Sequence, residues 1–270
     1  MERFNVLTRL QGRVALVTGS GQWIGEYTAI RLAEEGCDLI INDIVKSRAD
    51  RVAEKIRAMG RRAISICADV TKYDEVKAMV AEAEKEFGRI DILVNNVGGG
   101  APRDEYPTST FNASERAWMY VWRANVMSAV LCSACVLPGM KERHWGRIVN
   151  LSSGSAIRGS VGDVEYSAAK SALDGFTRGM SQEVRDLGIR TNVVHVGCCG
   201  GAPDDDPKLS NFTGEAFSQE ELIERDCIRA NMPRQGTPDD MAALIAFLCS
   251  EEADYMNGQT IQTGGCIGSF

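Results

Sequence analysis

Short apolar runs alternate with helix-length amphipathic segments along most of the chain, a rhythm that builds βαβ units around a parallel sheet. Arg13–Thr18 reads Arg-Val-Ala-Leu-Val-Thr, apolar throughout its centre as a strand covered on both faces requires. The pattern then predicts a helix over about Trp23–Glu35 closed by Gly36, and a strand over Asp38–Asp43. A helix over about Lys46–Met59 stops at Gly60, a residue suited to a helix C-terminus. A strand over Ala63–Ala68, a helix over about Asp74–Phe87 stopped by Gly88, and a strand over Asp91–Asn95 follow.

Ser114 is placed to cap a long helix that reaches about Leu137 and ends at Pro138-Gly139. Beyond it lie a strand over Arg147–Leu151, a helix over about Tyr166–Leu187 and a strand over Ile189–Val196. A helix over Met241–Ser250 and a short strand over Gln259–Gln262 complete the series. Right-handed crossovers then give an α/β fold, a single Rossmann-type doubly wound parallel sheet with helices on both faces. Residues 1–11 read as an N-terminal extension and residues 12–270 as one domain. Segment 198–231 breaks the rhythm, and an excursion of that length after a strand reads as a substrate lid. Its Asp204-Asp205-Asp206 run reads as a solvated acidic stretch, while Phe212 and Phe217 hint at an apolar substrate.

A length of 270 residues fits one large domain, and 44 % hydrophobic residues supply its core. Thirty basic against 37 acidic side chains leave a net charge of −7, which disfavours nucleic acid or an anionic membrane as partner. No run approaches the ~18–20 apolar residues of a membrane span. The first ten residues, Met1–Leu10, lack the apolar core of an export signal, so a cytoplasmic location is expected. Nine scattered cysteines, an odd number, read as free thiols. Cys132-x-x-Cys135 falls inside the apolar Val126–Pro138 stretch without a second Cys/His pair, so core thiols rather than a metal are expected. Of the two histidines, His144 and His195, the latter sits in an apolar strand and reads as a packed residue rather than a base.

Chemistry concentrates at the strand ends. Thr18-Gly19-Ser20-Gly21-Gln22-Trp23-Ile24-Gly25 joins the first strand to the first helix, where glycines let backbone approach a pyrophosphate at a helix N-terminus. Asp43 follows Gly19 by 24 residues and ends the second strand, the place of a carboxylate that binds an adenosine ribose and repels a 2′-phosphate. NAD is therefore expected over NADP. Tyr166 and Lys170 stand at i and i+4 on one helix face, and a neighbouring cation is expected to lower the phenol toward the working pH. Such a phenol suits acid/base work on an alcohol or ketone. Ser153, thirteen residues earlier, ends the fifth strand.

With these residues the sequence resembles the short-chain dehydrogenase/reductase family over about Gly12 to Gly265. The Thr-Gly-rich loop at 18–25, Asp69-Val70, Asn95-Asn96-Val97-Gly98, Asn125, the Ser153/Tyr166/Lys170 set, Arg234–Asp240 and Asn257-Gly258-Gln259 appear in the family's order. The resemblance implies that Tyr166 exchanges a proton with the substrate oxygen. Lys170 would hold the nicotinamide ribose and tune Tyr166, Ser153 would bond the substrate oxygen, and Asn125 would support a water linked to Lys170. Cofactor contacts are implied for Gly19, Gln22, Trp23, Ile24, Gly25, Asp43, Asp69, Val70, Asn96, Gly98, Tyr166, Lys170, Gly197 and Cys199. Substrate contacts are implied for Ser153, Ser155 and Tyr166, and no metal is needed.

Three positions depart from the family pattern. Trp23 stands where the glycine motif has its middle glycine, so its side chain must point away from a pyrophosphate or partly cover it. Val196-Gly197-Cys198-Cys199 replaces a Pro-Gly turn and its threonine, leaving a carboxamide contact to backbone near Cys199. Thr263-Gly264-Gly265 replaces Asp-Gly-Gly, with little consequence expected. The resulting expectation is an NAD-dependent enzyme interconverting a secondary alcohol and a ketone, its substrate a small cyclic, aromatic or otherwise apolar alcohol. A 3-oxoacyl reductase is the alternative within the class, and a non-catalytic NAD-binding regulatory protein the alternative outside it. Family likeness implies a homo-oligomer, dimer or tetramer, built on the helices about Ser114–Leu137 and Tyr166–Leu187.

Overall fold

The computed structural model describes residues 8–102, 114–160, 162–200, 223–224, 226–228 and 231–264. Seven parallel strands form one sheet in the order β3-β2-β1-β4-β5-β6-β7. They are β1 (Val14–Val17), β2 (Asp38–Asp43), β3 (Ala63–Cys67), β4 (Ile92–Asn95), β5 (Gly146–Ser153), β6 (Ile189–Val196) and β7 (Thr260–Gln262). The helices are α1 (Trp23–Glu34), α2 (Lys46–Ala58), α3 (Tyr73–Phe87), α4 (Glu115–Trp122), α5 (Ser128–Glu142), α6 (Ser155–Arg158), α7 (Val164–Val184) and α8 (Pro238–Leu248). Chain order reverses between β1 and β4, and ligands bind such sheets in the crevice at the carboxyl ends of those strands.

The period-two alternation within each strand divides the core between the two faces. Ala15, Val17, Leu39, Ile41, Ile92 and Val94 join one apolar cluster with Leu32, Val52, Ile56, Ile245 and Leu248, so α1, α2 and α8 cover that face. Val14, Leu16, Ile40, Leu93 and Ile148 join the other with Val76, Met79, Val136, Met140 and Val184 of α3, α5 and α7. A strand apolar at every position is thereby buried on both sides. Gly88 ends α3 in the left-handed conformation (φ 75°), its N–H donating to the Glu84 carbonyl at 2.7 Å, as a helix-ending glycine does.

The predicted elements are present with shifted ends. Ser114 caps α4, its hydroxyl accepting from the Ala117 N–H. The helix does not end at Pro138: α5 carries that proline and runs to Glu142. Val136 and Met140, on either side of it, are both buried in the core, and their packing holds the backbone helical where the proline removes one bond. A π turn over Arg123–Met127 joins α4 to α5. The helical stretch Glu115–Glu142 is long and apolar enough to cross a membrane, contrary to the expectation of no such stretch. Val121, Val126, Cys132, Val136 and Met140 within it are buried against the rest of the domain. Most of the segment expected to form a lid, with Asp204–Asp206, Phe212 and Phe217, lies outside the described residues, as does most of the N-terminal extension.

Candidate active site

The carboxyl ends of β2, β1, β4, β5 and β6 carry the candidate residues side by side. After β1, the loop turns into α1, whose first N–H groups have no partner within the helix. Asn96 clamps this loop: its side-chain amide donates to the Thr18 and Gly19 carbonyls at 2.9 and 3.0 Å, and its own N–H reaches the Thr18 hydroxyl. Gly25 fits beneath, because a Cβ there would lie 2.6 Å from the Asn96 amide nitrogen. Asn42, which carried no sequence signal, accepts from the Gly19 N–H and donates to the Ile66 and Ala68 carbonyls, tying loop, β2 and β3 together.

Asp43 is buried at the end of β2, one carboxylate oxygen accepting from the Gly21 N–H and the other from the Val45 N–H. Each oxygen keeps a second lone pair for a further donor. Asp69 folds onto its own turn, bonded by Thr71 and Lys72. Burial works against its charge, but these partners outweigh it and hold the carboxyl below its usual range. Val70 and Ile24 are buried in the core clusters, so backbone is what they can offer a ligand. Gln22 stands partly exposed as the residue just before α1.

Trp23 lies in the left-handed region at φ 49°, a conformation that costs a residue with a Cβ roughly 1–2 kcal/mol. Its indole packs against the core cluster of the face covered by α1, α2 and α8, as do Val196 and Cys199. Its N–H donates to the Gly200 carbonyl at 3.3 Å. The side chain is therefore directed toward the segment after β6.

Lys170 is buried under the end of β5, its amine donating to the Leu151 carbonyl at 2.7 Å. Burial draws it down to about 7. The amine lies 5.6 Å from the centre of the Tyr166 ring. Gly98 leaves the room between β4 and α7, since a Cβ there would come within 2.7 Å of the Lys170 amine. Asn125, presented by the π turn, spends both amide hydrogens on the Gly99 and Val121 carbonyls and accepts from the Gly99 N–H. It pins the Gly98-Gly99 backbone beside Lys170.

Tyr166 is half-buried, and its phenol is raised to about 12, not lowered. Burial drives the rise, the Ser153 hydroxyl opposes it and the Asp163 carboxylate adds to it. The expected lowering by Lys170 is absent because burial of that amine discourages its own charge. Three hydroxyls form a chain beside the phenol: Ser153 bonds Ser155 at 3.2 Å, and Ser155 bonds Ser160 at 2.7 Å. The Ser155 N–H also donates to the Ser153 hydroxyl at 3.1 Å, fixing that oxygen at the start of α6.

Gly197 follows β6, its N–H held by the Thr263 hydroxyl at 2.9 Å. Thr263 thus has a consequence that the sequence reading denied it. A short bridge pairs Cys199 with Gly236, and burial raises the Cys199 thiol to about 12, which makes it an inert loop residue. Cys132 is likewise buried and raised to about 12. His195 is fully buried and bonded to Asp174 at 2.7 Å, a packed strand residue as its surroundings in sequence suggested. The Arg234–Asp240 motif is a helix start: Asp240 and Thr237 form a reciprocal cap on α8, and Arg234 forks onto the Asp240 carboxylate.

A nicotinamide dinucleotide fits this arrangement: a glycine-lined cradle, free helix-terminal N–H groups, an acid at the end of β2 and a buried amine beside a phenol. The comparisons agree. A family model described as short chain dehydrogenase matches residues 13–205. The chain is 33 % identical over 257 residues to 2-dehydro-3-deoxy-D-gluconate 5-dehydrogenase of Dickeya dadantii, covering 95 % of each chain. It is 35 % identical over 252 residues to a 3-oxoacyl-[acyl-carrier-protein] reductase of Staphylococcus aureus, covering 93 % of this chain and 96 % of the relative. A solved 7α-hydroxysteroid dehydrogenase, complexed with NADH and 7-oxo glycochenodeoxycholic acid, superposes with a TM-score of 0.86 at 28 % identity over 98 % of this chain and 97 % of its own. The chain belongs to the short-chain dehydrogenase family and is an oxidoreductase.

Proposed function

We propose that the protein interconverts a secondary alcohol and a ketone with NAD as its cofactor. The observation that carries this reading is the convergence of Ser153, at the carboxyl end of β5, with Tyr166 and Lys170, in the first turns of α7. A bound nicotinamide supplies or accepts the hydride. Tyr166 holds its proton at neutral pH and gives it to the substrate oxygen in the reductive direction; in the oxidative direction it first releases that proton to solvent and, as phenolate, takes the alcohol proton. The Ser153 hydroxyl, fixed by Ser155, supports that oxygen. Lys170 and Asn125 hold their side of the site in shape.

Asp43 supports NAD over NADP, because a 2′-phosphate would meet a buried carboxylate. The roles of Gly19, Gln22, Trp23, Ile24, Gly25, Asp69, Val70, Asn96, Gly98, Gly197 and Cys199 toward the cofactor are part of the same reading. So are a small apolar alcohol as substrate, a cytoplasmic location and a homo-oligomer built on α4, α5 and α7. The Staphylococcus relative favours a second reading, a 3-oxoacyl reductase. Calorimetric titration with NAD, followed by a screen of secondary alcohols, ketones and 3-oxoacyl thioesters, tests both. Dinucleotide binding with turnover of a simple alcohol supports the first; turnover of thioesters alone supports the second. Binding without any turnover contradicts both.

A further inference from the structure

We propose that Trp23 is a positioning residue that fixes the nicotinamide end of the cofactor site through the Gly197–Gly200 segment, an inference that rests on the dinucleotide reading above. The argument begins with place. Val196 pairs with Ser153, and the Gly154 N–H donates to the Val196 carbonyl, so the segment leaving β6 runs beside the reacting residues. Trp23 belongs to the other end of the site, where α1 begins. Its indole crosses from one to the other, over 177 residues of chain, to the Gly200 carbonyl.

Gly200 is held on both sides of its backbone. Its N–H donates to the Gly236 carbonyl at 3.0 Å, and the Gly236 N–H returns a bond to the Cys198 carbonyl. The indole takes the Gly200 carbonyl, while Thr263 secures Gly197 at the segment's start. A glycine would meet the left-handed backbone at position 23 without strain. Tryptophan there is strained, and what it adds is the cross-link to the Gly200 carbonyl. The pyrophosphate cradle does not need the indole, since backbone N–H groups supply it. The segment after β6 does.

NADH and ADP-ribose separate the two ends, because ADP-ribose carries the adenosine and pyrophosphate but no nicotinamide ring. Calorimetric titration of the wild type, Trp23→Phe and Trp23→Gly with each ligand tests the proposal. Trp23→Phe keeps a ring and loses the N–H; its NADH Kd rises about fivefold, the order set by one neutral hydrogen bond. Its ADP-ribose Kd stays within about twofold, and its melting temperature is unchanged. Trp23→Gly suits the left-handed backbone without an indole and reproduces the selective loss. A general loss of fold would weaken both ligands, so the ratio of the two affinities is the informative quantity. Unchanged NADH binding, or equal weakening of both ligands, overturns the proposal. A wild type that binds neither ligand overturns the dinucleotide reading and this proposal with it.

Discussion

Lys170 donates its amine to the Leu151 carbonyl at 2.7 Å, two residues before Ser153 on the same strand. That bond brings the face of α7 that carries Tyr166 and Lys170 against β5, and it places the amine where water is scarce. Burial then lowers it from an ordinary 10.5 to about 7. The unfolded chain therefore holds this proton between about 7 and 10.5 while the folded chain has released it. Stability rises with pH across that window. From pH 7 to 9 the gain is roughly 2 kcal/mol, or about 5 °C in melting temperature. Lys170→Met should lose this rise. Thermal melts of both proteins across pH 7–9 check it; parallel curves would show that Lys170 does not titrate there.

Asn96 is expected to act on the cofactor through the loop it clamps. Asn96→Ala leaves the Thr18 and Gly19 carbonyls without their donor. The NADH Kd should rise about tenfold and the melting temperature fall by a few degrees, from the order of 1–3 kcal/mol for unsatisfied groups. Titration and melting of the same preparation measure both.

Asp43 sets cofactor choice in this account, and exposed Ile44 follows it. Asp43→Ala combined with Ile44→Arg removes the repelling carboxylate and adds a cation for a 2′-phosphate. The NADPH-to-NADH affinity ratio should rise by at least about tenfold. A native protein that already prefers NADPH would contradict the assignment.

Thr263→Val is nearly isosteric and removes the hydroxyl that holds Gly197. NADH affinity should fall about two- to fivefold, the range of one hydrogen bond, with little change in melting temperature. An unchanged affinity would mean that the Gly197 backbone is fixed by the β6–β7 pairing alone.

The order of strands and helices was legible because the β-strands declare themselves by apolar runs and the helices by their spacing, with Gly36, Gly60 and Gly88 closing the first three. Ile189–Val196 has the bounds expected for it. Pro138 misled because its local effect is overridden by core packing on both sides, which sequence does not display. The grouping of Tyr166, Lys170 and Ser153 was legible because their spacing follows from one helix and one strand end, and the fold brings the three together. The groups that hold the site were not. Asn96 meets its partners 77 and 78 residues away and Thr263 meets Gly197 66 residues away, separations at which no local pattern remains. The acidity of Tyr166 was misjudged for the same reason: spacing shows that a lysine is near, and only the fold shows that burial raises the phenol and lowers the amine.

The central claim is that Tyr166 is the acid/base of an NAD-linked alcohol–ketone exchange. Tyr166→Phe removes the hydroxyl while keeping the ring that packs against Ala101, Val121 and Val126. Once a substrate has been found by screening, steady-state turnover of this variant, measured beside its NADH Kd, is the most direct test. Turnover should fall by at least about 100-fold, the lower range for a general acid, with the NADH Kd within about threefold. A variant that keeps wild-type turnover would contradict the account.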